Sequence, residues 1–306
     1  MEDCLSQVQL RHRKLIDYMS QPLTLSQIIR YLVLGEKYAF LCSEIISSAI
    51  PSILETMVFD NKELLMVYWT LLYQEYRLTA PQINYFVKIN QVLLNRRPGD
   101  MIRFIMTHLS DDLLAHWLYH FGDDQGCQLA ELLVSLIQCE LLSEGSGIVN
   151  WLHEKGLVHL LVNQLHPSND SMVHQFSQQV LCDIIRLSQS SHRDIISMGK
   201  NGLINDFTST EVMTSLIDYM LDSKSDNSVD TFICGAKLIV NLIRYNDERY
   251  LNDKDNDDTI TLNPIEEPGE NETPQNSKIL STMLTICTSR LGEFLSLLEN
   301  PRSKVN

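Results

Sequence analysis

The segment Gly156–Ser188, with the sequence GLVHLLVNQLHPSNDSMVHQFSQQVLCDIIRLS, decides the fold class because it predicts two helices joined by a short polar turn. One apolar stripe at helical spacing precedes the turn His166–Asp170, and a second stripe follows it. The two stripes comprise Leu157, Leu160, Leu161 and Leu165, then Val173, Phe176, Val180, Ile184 and Leu187. Such helices pack antiparallel across a tight turn, and the pair can bury its second face only against further pairs of the same kind.

The same pattern recurs twice in the chain. Val212–Tyr245 contains an apolar run, a turn rich in Asp, Ser and Asn, and the ending LIVNLIRY, in which Arg244 corresponds to Arg186 of CDIIRLS. A third copy spans Ala49–Tyr76. Because the spacing between copies varies, the pattern is typical of armadillo and HEAT repeats, which are roughly 40–47 residues long. We therefore predict an all-α fold, an armadillo/HEAT-like right-handed α-solenoid of stacked antiparallel helix pairs in one domain covering residues 1–306.

Composition and helix-start patterns agree with an all-helical chain. Hydrophobic residues make up 44% of the sequence, Gly and Pro number only 12 and 9, and no alternating run of Val, Ile and Thr predicts a strand. Sequences of capping-box form precede apolar periodic runs and predict helix starts at Thr24–Gln27, Asp60–Glu63, Thr79–Gln82 and Thr208–Glu211. Together these patterns predict about a dozen helices.

An acidic segment interrupts the helical pattern at residues 246–276. It contains ten Asp and Glu, two Lys and Arg and three Pro, so it has a net charge of −8 within a chain of −15. A segment of this composition buries too little apolar surface to offset the entropy lost on ordering. We predict that it is a disordered acidic insertion between a helix ending at Tyr245 and one starting near Ser277. The alternative is an acidic docking segment for a basic partner.

Charge and cysteine usage exclude several classes of protein. The isoelectric point of about 4.9 and the lack of a basic stripe with interleaved aromatic residues argue against nucleic acid. The run most similar to such a stripe is Arg11–Lys14, and we predict that it is the solvated face of an amphipathic helix. Seven scattered cysteines without C-x-x-C spacing indicate reduced thiols in a reducing compartment. No apolar run is long enough to predict a membrane span.

Candidate catalytic and metal-binding residues are few, and none forms a convincing site. His116 and His120 have helical i, i+4 spacing, but the Glu of the H-E-x-x-H motif is missing, so core positions are favoured. Residues 145–147 (GSG) are too short for a phosphate-binding loop. Cys182 lies within a predicted helix without a neighbouring base, which favours a buried structural thiol. We therefore predict no catalytic, cofactor-binding or metal-binding residues.

The chain resembles the SAPS-domain family, the regulatory subunits of the type-6 class of serine/threonine protein phosphatases. The most specific similarity lies in Val149–Leu187, where LVNQLHPSND and LCDIIRL match elements of that family. Three other stretches are similar and keep the same order: CLSQVQLRHRKLIDYMSQP, APQINYFVKINQVLLNRRPGDMIRFI and SRLGEFLSLLENP. The resemblance covers nearly the whole chain apart from the acidic segment.

The resemblance implies a non-enzymatic subunit that binds the phosphatase catalytic subunit and directs its localisation, substrate choice or activity. It also implies an ankyrin-repeat third subunit as a second partner and a cytoplasmic location, with the nucleus as an additional one. No cofactor, nucleic acid or membrane is expected. A generic armadillo-like adaptor of another pathway is the main alternative, and the protein that co-purifies distinguishes the two. A helical enzyme is the third hypothesis, and it requires a pocket that collects titratable residues.

Arg186 and Arg244 are the candidate partner-binding residues. Each ends an equivalent predicted helix and directly follows an Ile of the stripe that we predict to be buried. In armadillo-like arrays the last helix of each repeat lines the concave groove, so equivalent side chains form a row, and Arg is enriched at binding hot spots. The alternative is that each arginine interacts only with helix C-terminal carbonyl groups.

Overall fold

The computed structural model describes residues 6, 8, 10–35, 37–122, 125–189, 197–254 and 275–299, with only the backbone of residues 246–254, 275–277 and 298–299. All regular secondary structure in these ranges is helical, and no strand is found in them. The all-α class predicted from the sequence is confirmed.

Seventeen α-helices form the described part of the chain. They are α1 (Arg13–Met19), α2 (Pro22–Leu34), α3 (Ala39–Ser47), α4 (Pro51–Glu55), α5 (Lys62–Trp69), α6 (Ala80–Arg96), α7 (Pro98–His108), α8 (Leu113–Tyr119), α9 (Gly126–Gln138), α10 (Ile148–Glu154), α11 (Leu157–Gln164), α12 (Ser171–Ser188), α13 (Gly202–Asn205), α14 (Thr210–Leu221), α15 (Ser228–Lys254), α16 (Gln275–Ser289) and α17 (Leu291–Glu299). A π-helical turn extends α4 over Thr56–Asp60, and short 3₁₀ turns lie at Thr70–Tyr73, Cys139–Leu141, Ser143–Gly145 and Asp206–Thr208.

The helices group into two compact units, Met1–Trp151 and Leu152–Asn306. Each unit has its own buried apolar side chains. The prediction of one helical-repeat domain over residues 1–306 stays a prediction.

The first unit is built around an aromatic cluster. Trp69 of α5 packs edge-to-face on Phe86 of α6 and on Trp117 of α8, with ring centroids 5.3 and 5.6 Å apart. The indole Nε1 of Trp117 donates a hydrogen bond to the carbonyl of Leu129 in α9, 3.2 Å away. Because the rings belong to three different helices and the indole of Trp117 bonds to a fourth, the cluster joins α5, α6, α8 and α9 into one core.

The second unit contains the helix pair predicted from Gly156–Ser188. Helices α11 and α12 pack against each other across the short turn, and the carboxylate of Asp170 accepts a hydrogen bond from the backbone N–H of Met172 at the start of α12. All predicted stripe residues are buried except Leu160, which is half-buried. Helices α14 and α15 form a second pair, and α15 packs beside α12.

Some predicted helix boundaries are confirmed and others are wrong. Gln82 accepts hydrogen bonds from the backbone N–H and the hydroxyl of Thr79, so the capping box at the start of α6 is present. Thr24 lies inside α2, which instead starts with Pro22 as its first residue. Arg11 has a φ of +56° and interrupts the helix predicted around Arg11–Lys14, so α1 begins at Arg13.

Helices occupy both ends of the range 246–276 that was predicted to be an acidic insertion. The helix predicted to end at Tyr245 continues to Lys254, and the next helix begins at Gln275. Residues 255–274 lie outside the described residues, and their disorder stays a prediction.

In the described ranges, no single helix is long and apolar enough to cross a membrane, although two bent pairs of helices reach the required length and composition when joined.

Candidate partner-binding surface

The structure places Arg186 near the end of α12 and Arg244 within α15, both exposed. The guanidinium Nη2 and Nε of Arg186 donate hydrogen bonds to Oδ1 of Asp183, 2.9 and 3.1 Å away. Arg186 therefore contacts a carboxylate, and Arg244 is not at a helix end because α15 continues to Lys254. Both observations count against the alternative that the arginines interact only with terminal carbonyl groups.

Three hydrogen bonds fix the register between α12 and α15. Asn227 donates to the carbonyl of Asn169 just before the two helices, the Thr231 hydroxyl lies 3.5 Å from a ring nitrogen of His174, and Asn241 donates to Sγ of Cys182. The paired residues are 58, 57 and 59 positions apart, in that order along the chain. The helices therefore run parallel with an offset of about 58 positions, which places Arg244 at the level of Arg186.

Each helix presents a matching exposed row at positions i, i+4, i+7 and i+11, which lie on one face of a helix. The rows are Gln175, Gln179, Cys182 and Arg186 on α12, and Ile233, Lys237, Val240 and Arg244 on α15. The offset of 58 aligns them residue by residue. All eight side chains are exposed except that of Cys182, which is half-buried.

A polar groove of about 520 Å³ lies between these two rows. Its lining includes Gln175, Gln179, Cys182, Asp183, Ile233 and Lys237. Amide, carboxylate and ammonium groups in an open groove can hold a polar segment of a partner protein by hydrogen bonds and ion pairs. We call the two rows and this groove the α12–α15 surface.

Cys182 does not have the environment of a nucleophile. Its Sγ accepts hydrogen bonds from Nε2 of Gln178 at 3.0 Å and from Nδ2 of Asn241 at 3.4 Å. Burial raises the pKa of Cys182, and it raises the pKa of the neighbouring Cys234 to about 11. Both thiols are therefore neutral near pH 7, as expected of structural cysteines.

The first unit has a comparable arrangement of neighbouring helices. Helix α6 packs against both α3 and α9, and Lys88 of α6 forms an ion pair with Glu44 of α3, 44 positions earlier. A groove of about 580 Å³ between α6 and α9 is lined by Gln91 and Ser135, which are also 44 positions apart. This spacing falls within the repeat lengths of armadillo and HEAT proteins.

The two histidines at helical spacing do not form a site. His120 is buried, its Nδ1 accepts a hydrogen bond from the backbone N–H of Leu78, and its Nε2 donates to the carbonyl of Leu72. His116 instead points to Asp112, with 3.3 Å between Nε2 and Oδ2. Within the described residues, no group of three or more His, Cys, Asp or Glu is placed to hold a metal ion.

Sequence reasoning missed part of the α12–α15 surface. The prediction that each arginine follows a buried Ile holds for Ile185 but is wrong for Ile243, which is 38% exposed. Ile233 and Val240 are also exposed, each 43%, so α15 presents an apolar stripe beside its basic residues. The i, i+7 spacing of Ile233 and Val240 was visible in the sequence, but which face of α15 is buried was not.

Comparison with known protein families gives a match to the SAPS family. The SAPS model, described as SIT4 phosphatase-associated protein, matches residues 90–306. The match covers the whole second unit, including the α12–α15 surface, and the first unit from residue 90 onward.

Curated relatives from fungi and animals are similar to the chain. Extragenic suppressor of kinetochore protein 1 of Schizosaccharomyces pombe is 27% identical over 98% of the chain. Serine/threonine-protein phosphatase 6 regulatory subunit 1 of Homo sapiens and SIT4-associating protein SAP185 of Saccharomyces cerevisiae are each 28% identical, over 79% and 74% of the chain. The chain spans 36%, 28% and 20% of the lengths of these three relatives. No solved structure is significantly similar to it.

Proposed function

This chain belongs to the SAPS family, and on that premise we propose that it is a non-catalytic regulatory and scaffolding subunit. Its partner is the catalytic subunit of a type-6-class serine/threonine protein phosphatase, whose localisation, substrate choice or activity it directs. The observation that supports this most strongly is the family match over residues 90–306, together with relatives that are named phosphatase regulatory subunits. The absence of a nucleophile–base pair on the α12–α15 surface agrees with a binding role.

The finer architecture that we propose is an armadillo/HEAT-like right-handed α-solenoid of stacked antiparallel helix pairs. Two observations support it, each within one unit. In the first unit the contact between α3 and α6 joins residues 44 positions apart, and in the second unit α12 and α15 lie parallel with an offset of about 58. Parallel packing of equivalent helices is the arrangement expected when helix pairs repeat.

The α12–α15 surface is the proposed contact for the phosphatase. Arg186, Lys237 and Arg244 place basic groups in adjacent rows on a chain whose net charge is −15. Arginine side chains bind carboxylates through a planar fork, and the exposed Ile233 and Val240 add apolar area beside them. The partner surface is therefore expected to present acidic side chains around an apolar centre.

Affinity capture with purified components tests this function. The immobilised chain is incubated with a recombinant type-6-class catalytic subunit and, as the matched control, with the catalytic subunit of a distantly related phosphatase class. We expect saturable retention of the first and none of the second. Failure to retain the type-6-class subunit would overturn the proposal. Retention of a protein from another pathway in its place would favour the generic adaptor.

Three further measurements address the rest of the proposal. The chain alone is expected to release no phosphate from a phosphopeptide, and release by the purified chain would favour an enzyme. The ankyrin-repeat third subunit is expected to be retained by the assembled pair of chain and catalytic subunit. A fluorescent fusion is expected in the cytoplasm, with a nuclear fraction.

A further inference from the structure

A second, smaller pocket lies in the first unit and has no part in the proposed phosphatase contact. It has a volume of about 350 Å³ and lies between the segment before α1, the C-terminal end of α3 and the middle of α6. Its polar lining comprises Arg11, Glu44, Ser47, Ser48 and Lys88. Its size falls at the lower end of the range of pockets that hold small ligands, roughly 300–1,000 Å³.

Backbone strain is concentrated at this pocket. Among the described residues, Arg11 and Ala49 are the only residues other than Gly with positive φ, at 56° and 55°. Arg11 lines the pocket, and Ala49 lies between two lining residues, Ser48 and Ile50. The left-handed conformation is unfavourable for a residue with a Cβ atom, and strained residues of this kind gather at ligand-binding and active sites.

The polar groups of the pocket have an excess of positive charge and of hydrogen-bond donors. Lys88 forms an ion pair with Glu44, so the guanidinium of Arg11 supplies one positive charge beyond the balanced pair. The Oγ of Ser47 is buried and has no hydrogen-bond partner among the described residues. A buried hydroxyl without a partner is unfavourable, and an anion with several acceptor oxygens would remove that penalty.

We propose that this pocket binds a phosphate monoester, the group presented by a phosphorylated serine side chain. The planar guanidinium of Arg11 binds two phosphate oxygens through parallel hydrogen bonds, which is the geometry that favours Arg at phosphate sites. The ammonium of Lys88 adds a second positive charge, and a small rotation of the Ser47 side chain would bring its unpaired hydroxyl to a phosphate oxygen. The carboxylate of Glu44 repels the phosphate, and its ion pair with Lys88 reduces that repulsion.

Isothermal titration calorimetry of the full chain tests the site without any phosphatase present. The probes are a short phosphoserine peptide, the same peptide unphosphorylated, the same peptide with Glu in place of phosphoserine, and inorganic phosphate. We expect saturable binding of the phosphoserine peptide, weaker binding of the Glu peptide and none of the unphosphorylated one. Saturation by inorganic phosphate alone would identify the source as free phosphate. Binding of neither phosphate-containing probe would overturn the proposal.

Substitutions at the pocket have opposite predicted signs, which separates binding from folding. Arg11→Gln removes the bidentate donor and should weaken binding by about tenfold or more. Glu44→Gln removes the opposing carboxylate and should strengthen binding. Arg13→Gln removes an equally exposed positive charge outside the pocket and should leave the affinity unchanged. Equal losses of affinity in the Arg11 and Arg13 variants would show nonspecific electrostatic attraction and would overturn the site. All three variants change exposed or half-buried side chains, and circular dichroism checks that each variant is folded.

Discussion

Asn241 of α15 donates a hydrogen bond from Nδ2 to Sγ of Cys182 in α12, across 3.4 Å. The same amide group donates to the carbonyl of Lys237, 2.9 Å away and one turn earlier in its own helix. The side chain is therefore held by α15 while it contacts α12. Because this contact joins residues 59 positions apart, it keeps the exposed rows that end at Arg186 and Arg244 side by side.

Reversing the charge of both arginines tests whether these rows form the partner contact. The double variant Arg186→Glu, Arg244→Glu should lower retention of the type-6-class catalytic subunit by about tenfold or more, because losing an arginine at a binding hot spot costs about 2 kcal/mol or more. The free energy of unfolding should change little, since the exposed pair of Arg186 and Asp183 contributes at most about 0.5 kcal/mol.

The matched control for this experiment is Lys200→Glu, Lys224→Glu, which reverses two exposed charges of the second unit outside the α12–α15 surface. It should retain the phosphatase as the unmodified chain does. Unchanged retention by the arginine double variant, or equal losses in both double variants, would show that the row of arginines does not bind the partner.

The core side of α12 is tested by Phe176→Ala. Phe176 is 7% exposed in the interior of the second unit, so its truncation should lower the free energy of unfolding by about 3–5 kcal/mol. Gln175→Ala removes the exposed neighbour and should change it by no more than about 0.5 kcal/mol. Chemical denaturation of both variants gives the comparison. A loss below about 1 kcal/mol for Phe176→Ala would mean that α12 packs through a different face.

The helical fold could be predicted where local chemistry and apolar spacing agree. Around the turn after α11, the apolar stripes, the polar residues and the N-cap Asp170 all predict that the next helix starts here. In the structure α12 starts directly after Asp170. Thr79 and Gln82 likewise form the capping box that their spacing predicts. Thr24 has the same spacing to Gln27, but Pro22 starts the helix first, so the motif falls inside α2.

The features that could not be predicted depend on contacts between helices or on strained backbone. The apolar stripe stops at Tyr245 and so predicts the end of α15 there. A formed helix gains one hydrogen bond per further residue, however, so α15 continues through polar sequence to Lys254. The exposure of Ile243 depends on which face of α15 is covered by α12. The positive φ of Arg11 has no signature in the sequence, so the pocket of the first unit was missed.

Because two histidines are buried, we predict that acidification destabilises the protein. Burial lowers the pKa of His120 and of His174. Hydrogen bonds to carbonyl groups raise the pKa of both residues, but burial is the larger effect. In the unfolded chain each titrates near its ordinary value of about 6.5. Between the pKa of each histidine in the folded state and pH 6.5, the unfolded state therefore binds more protons than the folded state. The free energy of unfolding falls as the pH drops through that window, by up to about 1.4 kcal/mol per pH unit for each histidine.

His174→Gln tests this linkage. Unfolding free energies at about pH 7.5, 6.5 and 5.5 should fall less steeply with acid in the variant than in the unmodified chain, because one titrating group is lost. The slope is the diagnostic quantity, since loss of the hydrogen bond from His174 Nε2 to the carbonyl of His166 lowers stability at every pH. His12→Gln, at an exposed position, should leave the slope unchanged. An unchanged slope in the His174 variant would contradict the prediction.

The acidic residues between α15 and α16 are predicted to be dispensable for folding. Residues 255–274 contain seven Asp and Glu and no Lys or Arg, so replacing them with a Gly/Ser linker of equal length changes the net charge from −15 to −8. Keeping residues 246–254 preserves the whole of α15. We expect the melting temperature to change by no more than about 2 °C, which corresponds to about 1.3 kcal/mol for a chain of this size.

A second variant with a linker of half that length separates the effect of loop length from the effect of the amino-acid composition. Loop-closure entropy changes by only about 0.6 kcal/mol per doubling of length, so both variants should melt at nearly the same temperature. If the segment is an acidic docking element, both variants should lose binding of a basic partner while their melting temperatures stay unchanged. A fall in melting temperature beyond about 5 °C in the equal-length variant would show that the native residues pack against the helices, because the linker preserves length and removes only the side chains.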